Sequence, residues 1–261
     1  MAKIADIYYN TDPWRIIEKG FNPAYSLVSE SIFSLGNEFM GVRGYFDEGY
    51  SGENLIGSYF NGVYETQGVE ASAYKGIIDK TEFIVNSVDW LYLRIQVDGE
   101  IVDLNQSDFR NFKRELNLRT GVLNRSYIWV LKDGRELQLE FERFLSMNDA
   151  HFAGQRINMT ALNFSGEVVV TAGLDFTNQH HMVSKNLWDC KERNAGEKWC
   201  SIQANTVNTD LAVFSCCHFE GAAKKEHDLF EKKRVLKEFT FSLEQGKAET
   251  LTRVIMNLSQ K

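Results

Sequence analysis

The sequence predicts an all-β protein: a large antiparallel two-sheet β-sandwich (a supersandwich) with little helix, built as a single domain over residues 1–261. Three observations carry that expectation. Apolar and polar residues alternate at period two in segment after segment, Asp-Gly turns separate paired runs, and long helical periodicity is nearly absent. The 18 Phe, 10 Tyr and 5 Trp suit a pleated, half-buried surface. A hydrophobic fraction of 43% is ample for a sizeable core, and no composition break or internal repeat divides the chain.

Taken in order, the first distinctive stretch is "SLVSESIFSLGNEFMGVRGYFDEG", Ser26 to Gly49. Its apolar residues, among them Leu27, Val28, Ile32, Phe33, Phe39, Val42, Tyr45 and Phe46, read as strand pieces in imperfect alternation. Gly36-Asn37 is expected to reverse the chain at positive φ. Gly41 and Gly44 then mark a bulge or a close backbone approach. In "WLYLRIQVDGEIVDL", Leu91, Leu93, Ile95 and Val97 share one face and Asp98-Gly99 supplies a two-residue hairpin turn. "NQSDFRNFKREL" spaces Phe109, Phe112 and Leu116 as in one short turn of helix. In "SYIWVLKDGRELQLEFERFL", Ile128 and Val130 alternate with Tyr127, Trp129 and Leu131. After Asp133-Gly134, Leu137, Leu139 and Phe141 alternate with four polar residues. Further strands are expected at Arg156–Asn163, Val168–Leu174, Trp199–Gln203, Ala212–Phe219, Glu238–Glu244 and Thr250–Leu258. The segment Lys224 to Lys237 interleaves acids with bases and reads as a solvated loop or helix face.

A formal net charge of -7 and a pI near 5.4 argue against nucleic acid as a partner. No segment approaches the roughly 20 apolar residues of a membrane span. The N-terminus shows no signal-peptide pattern, so a cytoplasmic location is expected. Cys190, Cys200, Cys216 and Cys217 are expected to be reduced, since adjacent Cys216 and Cys217 point to opposite faces of a strand.

The search for chemistry finds no G-x-S-x-G elbow, no P-loop and no C-x-x-C. His180-His181 near Asp175 makes a poor metal site because adjacent residues diverge, and no metal is expected. A sugar-epimerase arrangement would need His151, His180 or His181 to converge with a carboxylate, and nothing in their context singles one out. The five tryptophans suit either sugar stacking or core packing, with core packing the weightier reading. A glycosidase carboxylate pair is defined in space and is not legible from spacing.

The stretch "ESIFSLGNEFMGVRGYFDEG" resembles the E-S-x-F-x-L-G-N-G-x-x-G-x-R-G signature of the disaccharide phosphorylases of glycoside hydrolase family 65. Glu30, Ser31, Phe33, Leu35, Gly36, Asn37, Gly41, Arg43 and Gly44 match it, and Glu38 replaces a glycine. The likeness continues through "SYFNGVYE", "DWLYLRIQVDGE", "RELNLRTGVLNRSYIW" and the run from Glu142 to Gln179, where Phe176 stands at a usual glycine.

The resemblance implies a longer parent enzyme, with this β-sandwich joined to a helical (α/α)6 barrel and a small C-terminal β domain. The catalytic acid belongs to the barrel, so the resemblance implies no catalytic residue in this chain. The implied reaction is inverting phosphorolysis of an α-glucosidic disaccharide to β-glucose 1-phosphate and a sugar. Inorganic phosphate is the co-substrate, and no redox cofactor or metal takes part. The implied partners are the barrel of the same polypeptide, the disaccharide and a second copy in a homodimer. Arg43, Gly41, Gly44 and Tyr64 are candidates for the interface or active-site rim. Arg43 either bridges to a carboxylate or anion there or pairs inside its own sheet. The segments Leu35–Phe46 and Tyr59–Tyr64 are expected to leave an apolar patch exposed. A free-standing carbohydrate-binding, lectin-like sandwich is the alternative.

Overall fold

The computed structural model describes residues 8–68 and 80–260. The first strands are short: β1 (Tyr9–Asp12), β2 (Arg15–Lys19), β3 (Leu35–Gly36), β4 (Met40–Val42), β5 (Ser58–Phe60), β6 (Tyr64–Gly68) and β7 (Lys80–Ile84). A helix, α1 (Ser26–Ile32), separates β2 from β3. Next come β8 (Leu93–Val97), β9 (Glu100–Ile101), β10 (Asp108–Asn117), β11 (Val122–Val130), β12 (Glu136–Leu145), β13 (Phe152–Ala161) and β14 (Gly166–Asp175). The last are β15 (Trp188–Gly196), β16 (Trp199–Thr206), β17 (Ala212–Gly221), β18 (Lys225–Glu231), β19 (Arg234–Leu243) and β20 (Ala248–Gln260).

Antiparallel pairing joins ten of these strands into one sheet, in the order β1-β2-β10-β11-β12-β13-β20-β17-β16-β15. A second sheet runs β18-β19-β14-β8-β9, and β3-β4-β5 and β6-β7 form two small sheets. The all-β, two-sheet sandwich expected from the sequence is therefore present. β20 comes last in sequence yet lies mid-sheet, between β13 and β17.

The core is built by the alternation that the sequence displays. Leu93, Ile95 and Val97 of β8 are buried, as are Tyr127 and Trp129 of β11 and Leu137, Leu139 and Phe141 of β12. The five-stranded sheet lies against the β16–β17–β20 half of the large sheet. Phe219 of β17 meets Phe239 of β19 with ring centroids 5.1 Å apart. The other half, β2 and β10–β12, is covered from inside by the chain between α1 and Gly49. Trp90, Trp129 and Trp188 are core residues, whereas Trp14 and Trp199 are exposed. The four cysteines are free, with Cys217 buried and Cys216 half-buried.

Three local expectations change. Ser26–Ile32 is helix, not strand, because the residues it buries are polar: Ser26, Ser29 and Glu30, at helical spacing. "NQSDFRNFKREL" is strand β10, not a turn of helix. A bulge between Arg110 and Lys113, with Asn111 at φ 59°, shifts the register, and Phe112, Arg114 and Leu116 then point inward at period two. Lys224 to Lys237 forms most of the β18–β19 hairpin, in which every residue of β18 is exposed and Lys237 reaches Asp228 at 2.6 Å. Asp98-Gly99 turns as expected, with φ of 47° and 85°.

Two substitutions separate core from surface. Leu139→Ala, at a fully buried position, is expected to cost about 2–5 kcal/mol. Met147→Ala, on the surface, should stay within roughly 0.5 kcal/mol of wild type. Urea unfolding midpoints check both.

Candidate functional site

The glycine-rich segment is held against α1. The amide of Gly44 donates to the Glu30 carbonyl at 2.8 Å. A Cβ on Gly44 would lie 2.8 Å from the Phe33 Cβ, so the close approach requires glycine there. Gly41 is different. It pairs with Gly36 across β3 and β4, and a Cβ on either meets nothing nearer than 3.9 Å. Gly36 does not take the positive φ expected of it. The reversal is made by Asn37, whose Oδ1 accepts from the amides of Phe39 (2.9 Å) and Met40 (2.8 Å). Its Nδ2 donates to the carbonyls of Ser146 (2.8 Å) and Ala150 (3.0 Å), tying the turn to the β12–β13 connection.

Arg43 pairs within the domain. Its Nη2 donates to Ser31 Oγ at 3.0 Å, and its Nε lies 3.8 Å from Glu30 Oε2, an ion-pair distance too long for a hydrogen bond. Glu30 Oε2 accepts from the Leu55 amide at 2.8 Å. Burial raises the Glu30 pKa, opposed by the Leu55 amide and then by Arg43. Arg43 keeps part of its side chain in solvent. Tyr64 lies on the separate β6–β7 hairpin, opposite Ile84, and is exposed. Its carbonyl accepts from Thr209 Oγ1 at 2.7 Å. The structure thus unites Arg43 and Gly44 with Glu30 and places Tyr64 elsewhere.

The apolar residues of the two segments do not form the expected exposed patch. Leu35, Met40, Val42, Tyr45, Phe46, Phe60 and Val63 are all buried, because the chain here fills the inside of the large sheet. Exposed apolar side chains gather instead on the outer face of that sheet: Phe144, Phe152, Trp199, Val254 and Leu258. Phe144 lies across Gly154, where a Cβ would come within 2.5 Å of its ring.

An ionic seam between the two layers was not anticipated. Asp47 and Glu48 sit beneath Arg125 of β11 and Arg143 of β12, all nearly inaccessible. Arg125 Nη2 donates to Glu48 Oε2 at 2.6 Å and its Nη1 contacts Oε1. Arg143 Nη1 contacts Asp47, and its Nη2 donates to the Arg43 carbonyl at 3.1 Å. The Tyr127 hydroxyl donates to Glu48 at 2.6 Å. Arg114 of β10 completes the row. Its Nε donates to Glu18 of β2 at 2.7 Å, and its Nη1 donates to the Gly44 carbonyl at 2.8 Å. Burial works against the Arg125 charge, but Glu48 and then Asp47 outweigh it and raise its pKa. Three guanidiniums face three carboxylates here, and the residual space among them is about 10 Å³. No sugar fits there. The sequence signal was available: Arg114, Arg125 and Arg143 each stand in the inward phase of an alternating strand, where an apolar residue is the norm.

A second buried acid has a different character. Asp89 bridges by backbone to Asp175, and its Oδ1 accepts from the Tyr45 hydroxyl (2.6 Å) and the Leu91 amide (3.0 Å). Burial raises its carboxyl to about 6, opposed by the Tyr45 hydrogen bond and reinforced by Asp175. Arg234 Nε lies 2.8 Å from Asp175 Oδ2, an ion pair off the hydrogen-bond axis.

The histidines do not make the arrangements considered for them. Among the described residues no cluster of His, Cys, Asp and Glu is placed to hold a metal ion. His151 Nδ1 contacts the Asn257 carbonyl at 3.0 Å. His180 Nδ1 accepts from the Asn86 amide at 3.1 Å, and its ring stacks on Phe83 at 4.6 Å. Burial, then His181, lowers the His180 pKa. A cavity of about 210 Å³ lies between Asn54–Ile56 and the loop 178–184, with His180 and Asn178 in its wall and no carboxylate lining it.

Comparison with known proteins sets this geometry in a family. The sequence model described as "Glycosyl hydrolase family 65, N-terminal domain" matches residues 16–261. The chain belongs to glycoside hydrolase family 65, as its N-terminal domain. The maltose phosphorylase of Bacillus subtilis (strain 168) is 28% identical over 208 residues, 78% of this chain and 27% of that protein. The kojibiose phosphorylase of Halothermothrix orenii is 34% identical over 160 residues, 61% of this chain and 19% of that protein. A solved structure of a candidate kojibiose phosphorylase from the human microbiome superposes with a TM-score of 0.90 at 34% identity. That match covers 97% of this chain and 33% of the other. This family 65 chain therefore spans a third or less of the length of these relatives. No helix among its described residues is long and apolar enough to cross a membrane.

The seam and the Asp89 site give two expectations. Arg125→Met leaves Glu48 buried without its cation and should cost about 3–5 kcal/mol. Adding Glu48→Gln should recover part of that loss in the same urea titration. Asp89 has a folded-state pKa of about 6 against an ordinary 3.8. Its contribution to stability is therefore fully present below the unfolded pKa and lost as pH rises through 6. Asp89→Asn keeps the Oδ1 acceptor and does not titrate. Relative to wild type it should gain roughly 2–3 kcal/mol between about pH 4 and about pH 7.5. Parallel stability curves for the two proteins across that range would refute the assignment.

Proposed function

We propose that this chain is the non-catalytic sandwich domain of an inverting disaccharide phosphorylase. The complete enzyme would convert an α-glucosidic disaccharide and phosphate to β-glucose 1-phosphate and a free sugar. One observation carries the non-catalytic reading. Glu18, Asp47 and Glu48 are each buried and held by a guanidinium, and Asp89 is sealed in the core against the Tyr45 hydroxyl and the Leu91 amide, so none of these buried acids is placed to protonate a leaving oxygen.

In such a reaction a carboxylic acid protonates the leaving oxygen and phosphate attacks the opposite face of the sugar, where an inverting hydrolase places water. Phosphate is already anionic and needs no strong general base, and the reaction calls for no redox cofactor or metal. The acid comes from the helical barrel of the same polypeptide. The sandwich supports that barrel and the homodimer, in the cytoplasm. The apolar half of its outer face, with Phe144, Phe152, Val254 and Leu258, is a surface that a further domain would cover. Arg43 and Tyr64, both partly in solvent, stand at the rim.

The reading is tested directly. The 261-residue chain alone is expected to release no glucose 1-phosphate from maltose, trehalose, kojibiose or nigerose. Release above background from protein free of host enzymes would overturn it. With the barrel expressed separately, Arg43→Glu and Tyr64→Ala should each weaken association severalfold while circular dichroism stays that of the folded sandwich. Unchanged association would remove these two residues from the rim.

A further inference from the structure

We propose that strand β18 is a pairing edge for a second copy of this chain, so that two five-stranded sheets join across a two-fold axis into one continuous sheet. The inference rests on the homodimer of the preceding reading and goes further by naming the strand, the register and the residues that build it.

Among the described residues the two main sheets end in four edge strands: β1 and β15 on the large sheet, β18 and β9 on the other. Three of them are poor templates. β1 has four residues, β9 has two, and β15 carries a bulge between Cys190 and Glu192. Short strands and bulges are how proteins blunt an edge, and β18 has neither device. It runs seven residues in unbroken register with β19, contains no proline and exposes every side chain, Leu229 and Phe230 among them. It is also held in place before any partner arrives. Arg193 of β15 contacts the Glu231 carbonyl, and Lys237 reaches Asp228.

The backbone and the charges together select the occupant. Glu231 faces Arg234 across a two-residue turn, so the amides and carbonyls of Glu231, Leu229 and His227 point toward β19. Those of Phe230, Asp228 and Glu226 point away from the sheet, where an added strand can take them. For an antiparallel second copy, three registers centre on the middle of the strand. Centred on Asp228, the pairing sets Asp228 against the partner's Asp228. Centred on His227, it sets Glu226 against the partner's Asp228. Like charges directly opposite disfavour both. Centred on Leu229, the two copies of that leucine meet on the axis, which takes an exposed apolar side chain out of water. Asp228 and the partner's Phe230 then exchange backbone hydrogen bonds, and symmetry repeats the exchange. Glu226 lies opposite the partner's Lys232, and His227 opposite the partner's Glu231. Lys233, the counterpart of Lys225 in this register, is turned away to Asn186 Oδ1 at 2.6 Å. This register joins unlike charges without opposing like ones, and a generic apolar strand would leave Glu226 and Asp228 without a match.

The test is sedimentation equilibrium of the 261-residue chain. A monomer–dimer equilibrium in the micromolar range is expected. Glu226→Lys, at an exposed position, places lysine against the partner's Lys232 on both sides of the axis and should weaken the dimer roughly tenfold. Adding Lys232→Glu restores both pairs with their signs exchanged and should recover the wild-type constant. Leu229→Lys sets two lysines face to face on the axis and should leave only monomer, with the circular dichroism spectrum unchanged. Three outcomes would each overturn the proposal: a wild-type monomer at all concentrations up to about 200 µM, a dimer indifferent to Leu229→Lys, or no recovery in the Glu226→Lys/Lys232→Glu double variant. None of them bears on whether the chain lacks phosphorolytic activity, so the two readings fail separately.

Discussion

The pairing of Asp47 and Glu48 with Arg125 and Arg143 is the constraint around which this domain is organised. The large sheet has ten strands, and the five-stranded sheet covers only half of its inner face. The other half would be open to water if the chain from α1 to Gly49 did not lie against it. Apolar contacts such as Phe46 with Phe112 hold that chain loosely in direction, because hydrophobic burial is not directional. Charged hydrogen bonds are directional, and a guanidinium gripping a carboxylate fixes position as well as proximity. Once Asp47 and Glu48 are seated, Gly44 is carried over Phe33, its carbonyl meets Arg114, and Arg43 is brought to Glu30. The seam thus explains why Gly44 must be glycine while Gly41 has room to spare.

Much of the fold was legible because its signal is periodic. Leu93, Ile95 and Val97 and then Leu137, Leu139 and Phe141 state plainly which face is inside. What was not legible follows from the same rule used too simply. Ser26, Ser29 and Glu30 are the buried face of α1, and a reading that tracks apolar residues passes over a helix that buries polar ones. Phe109 and Phe112 are three apart because of a bulge at Asn111, a backbone event with no compositional mark. Strand β18 has no buried face at all, so its sequence carries no period.

The candidate site was legible in a different measure. Motif order placed the chain in family 65, and matched Arg43 and Gly44, which do lie together. It gave no hint of the partners of Asp47 and Glu48, which come from strands about 80 to 100 residues later. Contacts that distant in sequence leave no local pattern. Their trace is an arginine where an apolar residue belongs, at positions 114, 125, 143 and also 253, which is fully buried and bonded to the carbonyls of Leu91 and Tyr92. His180 stood out in the sequence only as half of a His-His pair poorly suited to a metal, and its bond from the Asn86 amide and its stacking on Phe83 are not legible there.

The mid-sheet location of β20 has a consequence for how the chain reaches this structure. The strands β10–β13 can pair as successive hairpins, and so can β15–β17, but the two groups have no shared edge until β20 arrives between them. Until the thirteen-residue strand β20 has left the ribosome, β13 and β17 each present a bare row of amides and carbonyls. Closing that gap joins residues about 100 apart on one side, as with Phe152 and Met256, at a late and slow stage set by loop-closure entropy. In that interval the nascent domain exposes two sticky strand edges, and the hazard it faces is aggregation before closure.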